Sequence, residues 1–183
     1  MPRIHPLHGF ARRPVTWLMV LTALALGACG GGGDDAPDDG SGGTAPSASI
    51  EALEGDWVQK GCVKTGGQSF KKMLRARVTG ANTLDYHEGV LTFGGNECAG
   101  VSRLAGPSKL GAVSFDRSES GAGLAAHWGV FRTVTGTRFG AIWTLRSPAL
   151  LCLLGDDIPT SQPSLRAVAA SLATVPADNS FVR

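Results

Sequence analysis

Few residues in this chain have a type and spacing suited to chemistry, and four of them are cysteines: Cys29, Cys62, Cys98 and Cys152. Cys29 follows Leu26-Gly27-Ala28 at the end of an uncharged apolar run from Val15 to Leu26. A thiol at a membrane surface, flanked by small residues, is a nucleophile that modifying and cleaving enzymes can both reach. The other three form an odd set for an oxidising compartment, so one bridge and one leftover thiol are expected. Cys62 and Cys98 lie in polar, glycine-broken segments near strand ends, whereas Cys152 sits inside Leu150-Leu151-Cys152-Leu153-Leu154. The expected bridge is therefore Cys62–Cys98, stabilising by about 3–4 kcal/mol in the chain-entropy picture. Cys152 is expected to be a buried free thiol acting as a small hydrophobe.

Other reactive groups are sparse. Beyond residue 28 the histidines are His87 and His127. Either could serve as a base, but structural or surface histidine is the reading adopted, with His127 facing solvent or the opposite side of a sheet from Trp128. There is no Gly-x-Ser-x-Gly elbow, no phosphate loop and no dinucleotide fingerprint. No Cys or His pair has close ligand spacing, so neither metal nor cofactor is expected. Asp156-Asp157 could attract a cation but reads as the polar end of a strand. Lys71, Lys72, Arg75 and Arg77 make a basic strand, read as a solvated face.

The first 28 residues supply an address. Arg3, Arg12 and Arg13 precede the apolar run. Its twelve residues would rise ~18 Å as a helix, short of a ~30 Å hydrocarbon core. A basic start followed by a short apolar stretch is the pattern of a secretory signal peptide, here residues 1–28. Leu26-Gly27-Ala28-Cys29 resembles the lipobox of bacterial lipoprotein precursors. That resemblance implies export by the general secretory route, cleavage before Cys29 and a diacylglyceryl thioether on its sulfur. Acyl chains at ~0.8 kcal/mol per buried methylene then hold the protein on the membrane. The residue after the cysteine is Gly30 rather than Asp. In the family this implies the outer membrane, with the protein facing the periplasm or the cell surface.

Residues 29–49 are the lipidated cysteine and a tether. GGGGDDAPDDGSGGTAPSAS has no large apolar side chain and is expected to be disordered, reaching ~25 Å root-mean-square. Its four aspartates lack the alternating ligand spacing and distal glutamate of a calcium loop. The whole chain carries 17 Lys+Arg against 15 Asp+Glu. Three of the basic residues precede Cys29 and four of the acids lie in the tether, leaving 14 against 11, or +3, for residues 50–183. So mild a charge does not point to nucleic acid.

Residues 50–183 read as one mainly β domain, an antiparallel barrel or sandwich of about eight strands with one short C-terminal helix. Period-two alternation with glycine-rich breaks carries this reading. The expected strands are Asp56–Lys64, Phe70–Thr79, Thr83–His87, Val90–Phe93, Glu97–Leu104 and Leu110–Asp116, then the pair either side of Gly136 and Ala149–Leu154. Turns are expected at Thr65-Gly66-Gly67, Gly80-Ala81-Asn82 and Glu88-Gly89. Ser118–Gly123 is expected to be a flexible break before the clearest hairpin. That hairpin alternates Leu124, Ala126, Trp128 and Val130 on one arm and Phe139, Ala141, Trp143 and Leu145 on the other. Ser164–Ala173 is the expected helix, capped by Ser164.

Gly55-Asp56-Trp57 resembles the Gly-x-Trp of lipocalins, which implies that Trp57 plugs one end of an eight-stranded ligand-binding barrel. The second lipocalin signature, Thr-Asp-Tyr, is missing at its usual distance. Trp57, Trp128, Trp143 and Phe139 are the candidate pocket or core residues. Ser118–Gly123 is faintly similar to the Ser-Gly-x-x-Tyr loop of membrane-bound lysozyme inhibitors, with Leu124 where the tyrosine falls. The resulting expectation is a non-enzymatic binding or envelope-interaction module, with a small apolar ligand or an envelope protein as partner. The alternatives are a lysozyme-inhibitor-like protein, and an enzyme without a recognisable motif. For the anchor, Cys29→Ser is expected to abolish labelling by a fatty-acid analogue and to leave an unprocessed precursor. Unchanged labelling and membrane fractionation would remove the lipidation reading.

Overall fold

The computed structural model describes residues 46–155 and 162–183. Cys29, residues 1–28, the tether as far as residue 45 and the Asp156-Asp157 pair lie outside them. Nine strands run in chain order: β1 (Gly55–Gln59), β2 (Val63–Thr65), β3 (Gln68–Gly80), β4 (Thr83–Gly94), β5 (Ser102–Gly121), β6 (Leu124–Thr133), β7 (Arg138–Ser147), β8 (Leu150–Leu154) and β9 (Phe181–Val182). All neighbours are antiparallel, from β2 through β8 and β9 to β1, and β1 also pairs with β3. That last pairing closes an eight-stranded barrel, with β2 running along β3 beyond the end of β1. One helix, α1 (Leu165–Leu172), completes the expected architecture. The Ser164 side chain caps it by accepting from the Ala167 amide.

Four local expectations change. Glu97–Leu104 and Leu110–Asp116 are not two strands, because β5 runs unbroken from Ser102 to Gly121. Asp56–Lys64 is not one strand. The chain breaks after Gln59, and the Lys60 and Gly61 amides turn to the carbonyls of Ser180 and Asp178. Glu88-Gly89 is not a turn, because β4 runs straight through it. A register shift falls there, and a Cβ on Gly89 would stand 2.9 Å from the Ala105 carbonyl, so the missing side chain lets β5 approach. Ser118–Gly123 is not a flexible loop. Ser118 to Gly121 pairs with His127 to Leu124, and Ala122-Gly123 forms the tight turn at φ 49° and 71°. Positive φ at both central residues suits the twist of a two-residue hairpin, which explains the glycine.

The β6–β8 wall is apolar on both faces. Inside the barrel, Leu53, Trp57, Leu74, Leu84, Val113, Phe115, Trp143, Leu145 and Leu151 form the main core. Outside, Leu124, Ala126, Trp128, Ile142, Cys152 and Leu154 pack against Val168, Leu172 and Val175 from the α1 segment. Without that helix the outer face would be a large exposed apolar patch.

The Cys62–Cys98 bridge forms as expected, with Cα atoms 5.9 Å apart, inside the usual disulfide range. It ties the β1–β2 break to the β4–β5 connection. Cys152 is buried as expected but is disulfide-bonded, so the free thiol expected there is a correction. Burial among leucines suits a disulfide sulfur as well as a thiol and could not separate the two.

Trp57 closes one end. Its ring is fully buried, its indole N–H donates to the Leu53 carbonyl at 2.9 Å, and the Arg183 guanidinium lies 4.1 Å above it. Arg183 also donates to the carbonyls of Ala52 and Glu54. Trp57→Ala is expected to cost roughly 3–5 kcal/mol by chemical denaturation, as buried aromatic truncations do. A loss below about 1 kcal/mol would contradict the plug.

Candidate functional site

The two ends of the barrel differ. The 3-10 turn Ile50–Leu53 and Trp57 fill one end, near the β3–β4 and β5–β6 turns. At the other end, where β4 meets β5 and β6 meets β7, a cavity of about 380 Å³ remains. Strand alternation decides what lines it. Lys72 of β3 and Tyr86 and Glu88 of β4 form one wall, and Phe131, Phe139, Ala141, Trp143 and Leu153 of β6–β8 form the other. The first wall carries the charge and the second carries the rings.

The charged wall is internally bonded. The Tyr86 hydroxyl donates to Glu88 Oε2 at 2.7 Å, and Lys72 Nζ lies 3.3 Å from Oε1. The rings interlock: Tyr86 meets Phe131 and Trp143 edge-on, with centroids 5.5 and 6.0 Å apart, and Phe131 stacks on Phe139 at 5.6 Å. Phe139 is 39% exposed and stands at the mouth with Leu110. Such a site is mostly apolar, with a few polar groups converging on one side, as small-molecule pockets are. A second cavity, about 590 Å³, lies by the ends of β3–β5 and is lined by Gln68, Thr92, Phe93, Val101 and Arg103 among others. It has one aromatic ring and no acid, so it offers little to orient a ligand.

The four candidate aromatics are not brought together. Trp143 and Phe139 line the cavity, and Trp57 belongs to the plug at the opposite end. Trp128 takes the core alternative and not the pocket one. It lies on the outer face, beneath α1, with its indole N–H on the Gln162 carbonyl at 2.7 Å and the Arg117 guanidinium 3.8 Å over its ring. Sequence reasoning missed Tyr86, Glu88 and Lys72. Alternation in β3 and β4 would have put them on the same side as Leu74 and Leu84, had β4 been read as one strand.

The two histidines lie on opposite faces of the wall. His87 sits in register with Arg75 and Lys109 on the outer face. Arg75 holds Asp56 through two hydrogen bonds, 2.6 and 2.7 Å, which keep that carboxyl below its ordinary range. His127 points inward. It is fully buried beside Phe115, and its Nδ1 lies 2.9 Å from the Ser118 hydroxyl. Of the two expected placements it takes the face opposite Trp128, and not solvent. Burial lowers its pKa to about 4, so it stays neutral near pH 7. Among the described residues there is no cluster of three His, Cys, Asp or Glu side chains placed to hold a metal.

Fold and cavity together define a closed antiparallel β-barrel, plugged by tryptophan at one end and hollow at the other. No protein-family model, curated protein or solved structure matches the chain.

The depressed His127 pKa has a definite sign. Below the unfolded value of 6.5 the unfolded chain takes up a proton that the folded barrel refuses until about pH 4. His127 therefore makes stability fall as pH drops through that window, by up to about 3 kcal/mol. His127→Gln is expected to flatten this slope. A stability difference between variant and wild type that stays constant from pH 7 to pH 4 would contradict it.

Proposed function

We propose that this is a lipid-anchored envelope protein whose barrel binds a small, mainly apolar ligand in its hollow end. The observation carrying the reading is the cavity itself, inside the barrel and walled by Trp143, Phe131, Phe139 and Tyr86. At about 380 Å³ it lies at the small end of ligand pockets. The polar groups on one wall can fix the ligand's orientation, which supports a binding role. The lipobox resemblance implies export and anchoring at Cys29 in the outer membrane by a thioether, which would take the Cys29 sulfur out of any disulfide, and the Gly/Asp-rich tether would then let the barrel stand off the bilayer. The inhibitor alternative loses its main feature, since Ser118–Gly121 is paired strand.

N-phenyl-1-naphthylamine, a neutral apolar dye, is expected to brighten on binding the wild-type barrel. Ala141→Trp, which fills the cavity from β7, is expected to remove that signal, whereas Val101→Ser, away from this cavity, is expected to retain it. A dye that does not brighten, or that brightens equally in Ala141→Trp, would sink the pocket reading. A thermal melt of Ala141→Trp guards against simple unfolding.

A further inference from the structure

We propose that the ligand of this cavity carries a cationic head, an organic ammonium, seated between the Glu88 carboxylate and the rings of Tyr86, Phe131 and Trp143. The inference rests on the binding function proposed above and specifies the chemical class of the ligand.

The carboxylate is fixed and its present cation is not. Glu88 is only 25% exposed, and the Tyr86 hydroxyl pins one of its oxygens at 2.7 Å. Lys72 is 44% exposed and reaches the other oxygen on a flexible four-carbon stem. The cavity wall thus already receives one ammonium, supplied from β3. A half-exposed ion pair of this kind is weak, so Lys72 can turn out to water at little cost.

A ligand ammonium entering in its place keeps the charge pairing with Glu88. It also gains the aromatic rings that line the same cavity, Tyr86, Phe131 and Trp143, in a partly desolvated site. Such contacts strengthen as the cation is desolvated. An anionic head would meet the fixed Glu88 charge at close range. A neutral head would leave the Lys72–Glu88 pair in place and gain only apolar burial. The body of the ligand then lies along Phe139, Ala141 and Leu153, toward the mouth.

The test uses three compounds with one tail, hexyltrimethylammonium, hexanoate and hexanol, titrated calorimetrically into the full chain. The ammonium is expected to bind about tenfold tighter than the alcohol, with hexanoate weakest. Glu88→Gln is expected to erase the ammonium's advantage over hexanol. Lys72→Met is expected to strengthen ammonium binding, because it removes the internal competitor; a gain of affinity cannot come from misfolding. Hexanoate or hexanol binding as tightly as the ammonium would overturn the cationic head and leave the pocket standing. Failure of all three to bind would overturn the pocket as well.

Discussion

Trp57 is the point on which the barrel is organised. A tryptophan is large enough to fill the cross-section of a small barrel, but its N–H must find a partner when buried. Here Leu53, four residues earlier, supplies the carbonyl, so the 3-10 turn and the first strand are locked as one piece. The opposite face of the problem is Arg183, whose guanidinium covers the ring while its N–H groups bind the carbonyls of Ala52 and Glu54. One side chain therefore ties the start of the domain to its last strand. Because the plugged end is densely filled, the other end can stay hollow without the barrel losing its core.

The division of labour extends to the sheet faces. β6, β7 and β8 must satisfy an interior and a helix-covered exterior at once, and their sequences show it: Leu124 to Trp128 and Ala141 to Leu145 are buried without interruption. β3 and β4 face solvent on their outer side and alternate accordingly. The two walls of the cavity inherit that difference. Charge enters from the half-exposed strands and rings from the doubly covered ones. Where β5 and β6 cross most closely, Gly111 and Gly129 leave no room for a Cβ against the Arg132 and Ser114 carbonyls.

Much of this was legible in the sequence because period-two alternation survives in β3, β6 and β7, and because Gly136 marks its turn. The Cys62–Cys98 bridge was legible from the polar, glycine-rich setting of both residues. What was not legible had specific causes. Gly89 reads locally as a turn, yet its role is to admit a neighbouring backbone, which no local pattern reports. Trp128 and Trp143 belong to stripes of equal hydrophobicity on facing arms. Only the register His127↔Trp143 and Trp128↔Ile142 shows that one is inside and the other beneath α1. His127 was legible only as facing solvent or the side opposite Trp128; it takes the second, because a neutral imidazole sharing a hydrogen bond with Ser118 can be buried. Cys152 was misjudged because burial does not distinguish a thiol from a disulfide.

The seam of the barrel has a consequence in time as well as space. β1 and β8 are joined only through β9, two residues long, with Val58 opposite Val182 and Leu151 opposite Phe181. Every other strand precedes β9 in the chain, so the ring cannot shut while residues 181–182 are still being made. Until then both flanking edges stay unpaired, and the contacts that close them span nearly the whole domain, the slowest kind to form. A growing chain of this design remains open until residues 181–182 have been made. An open barrel with two unpaired strand edges is the state most exposed to mispairing with a neighbour.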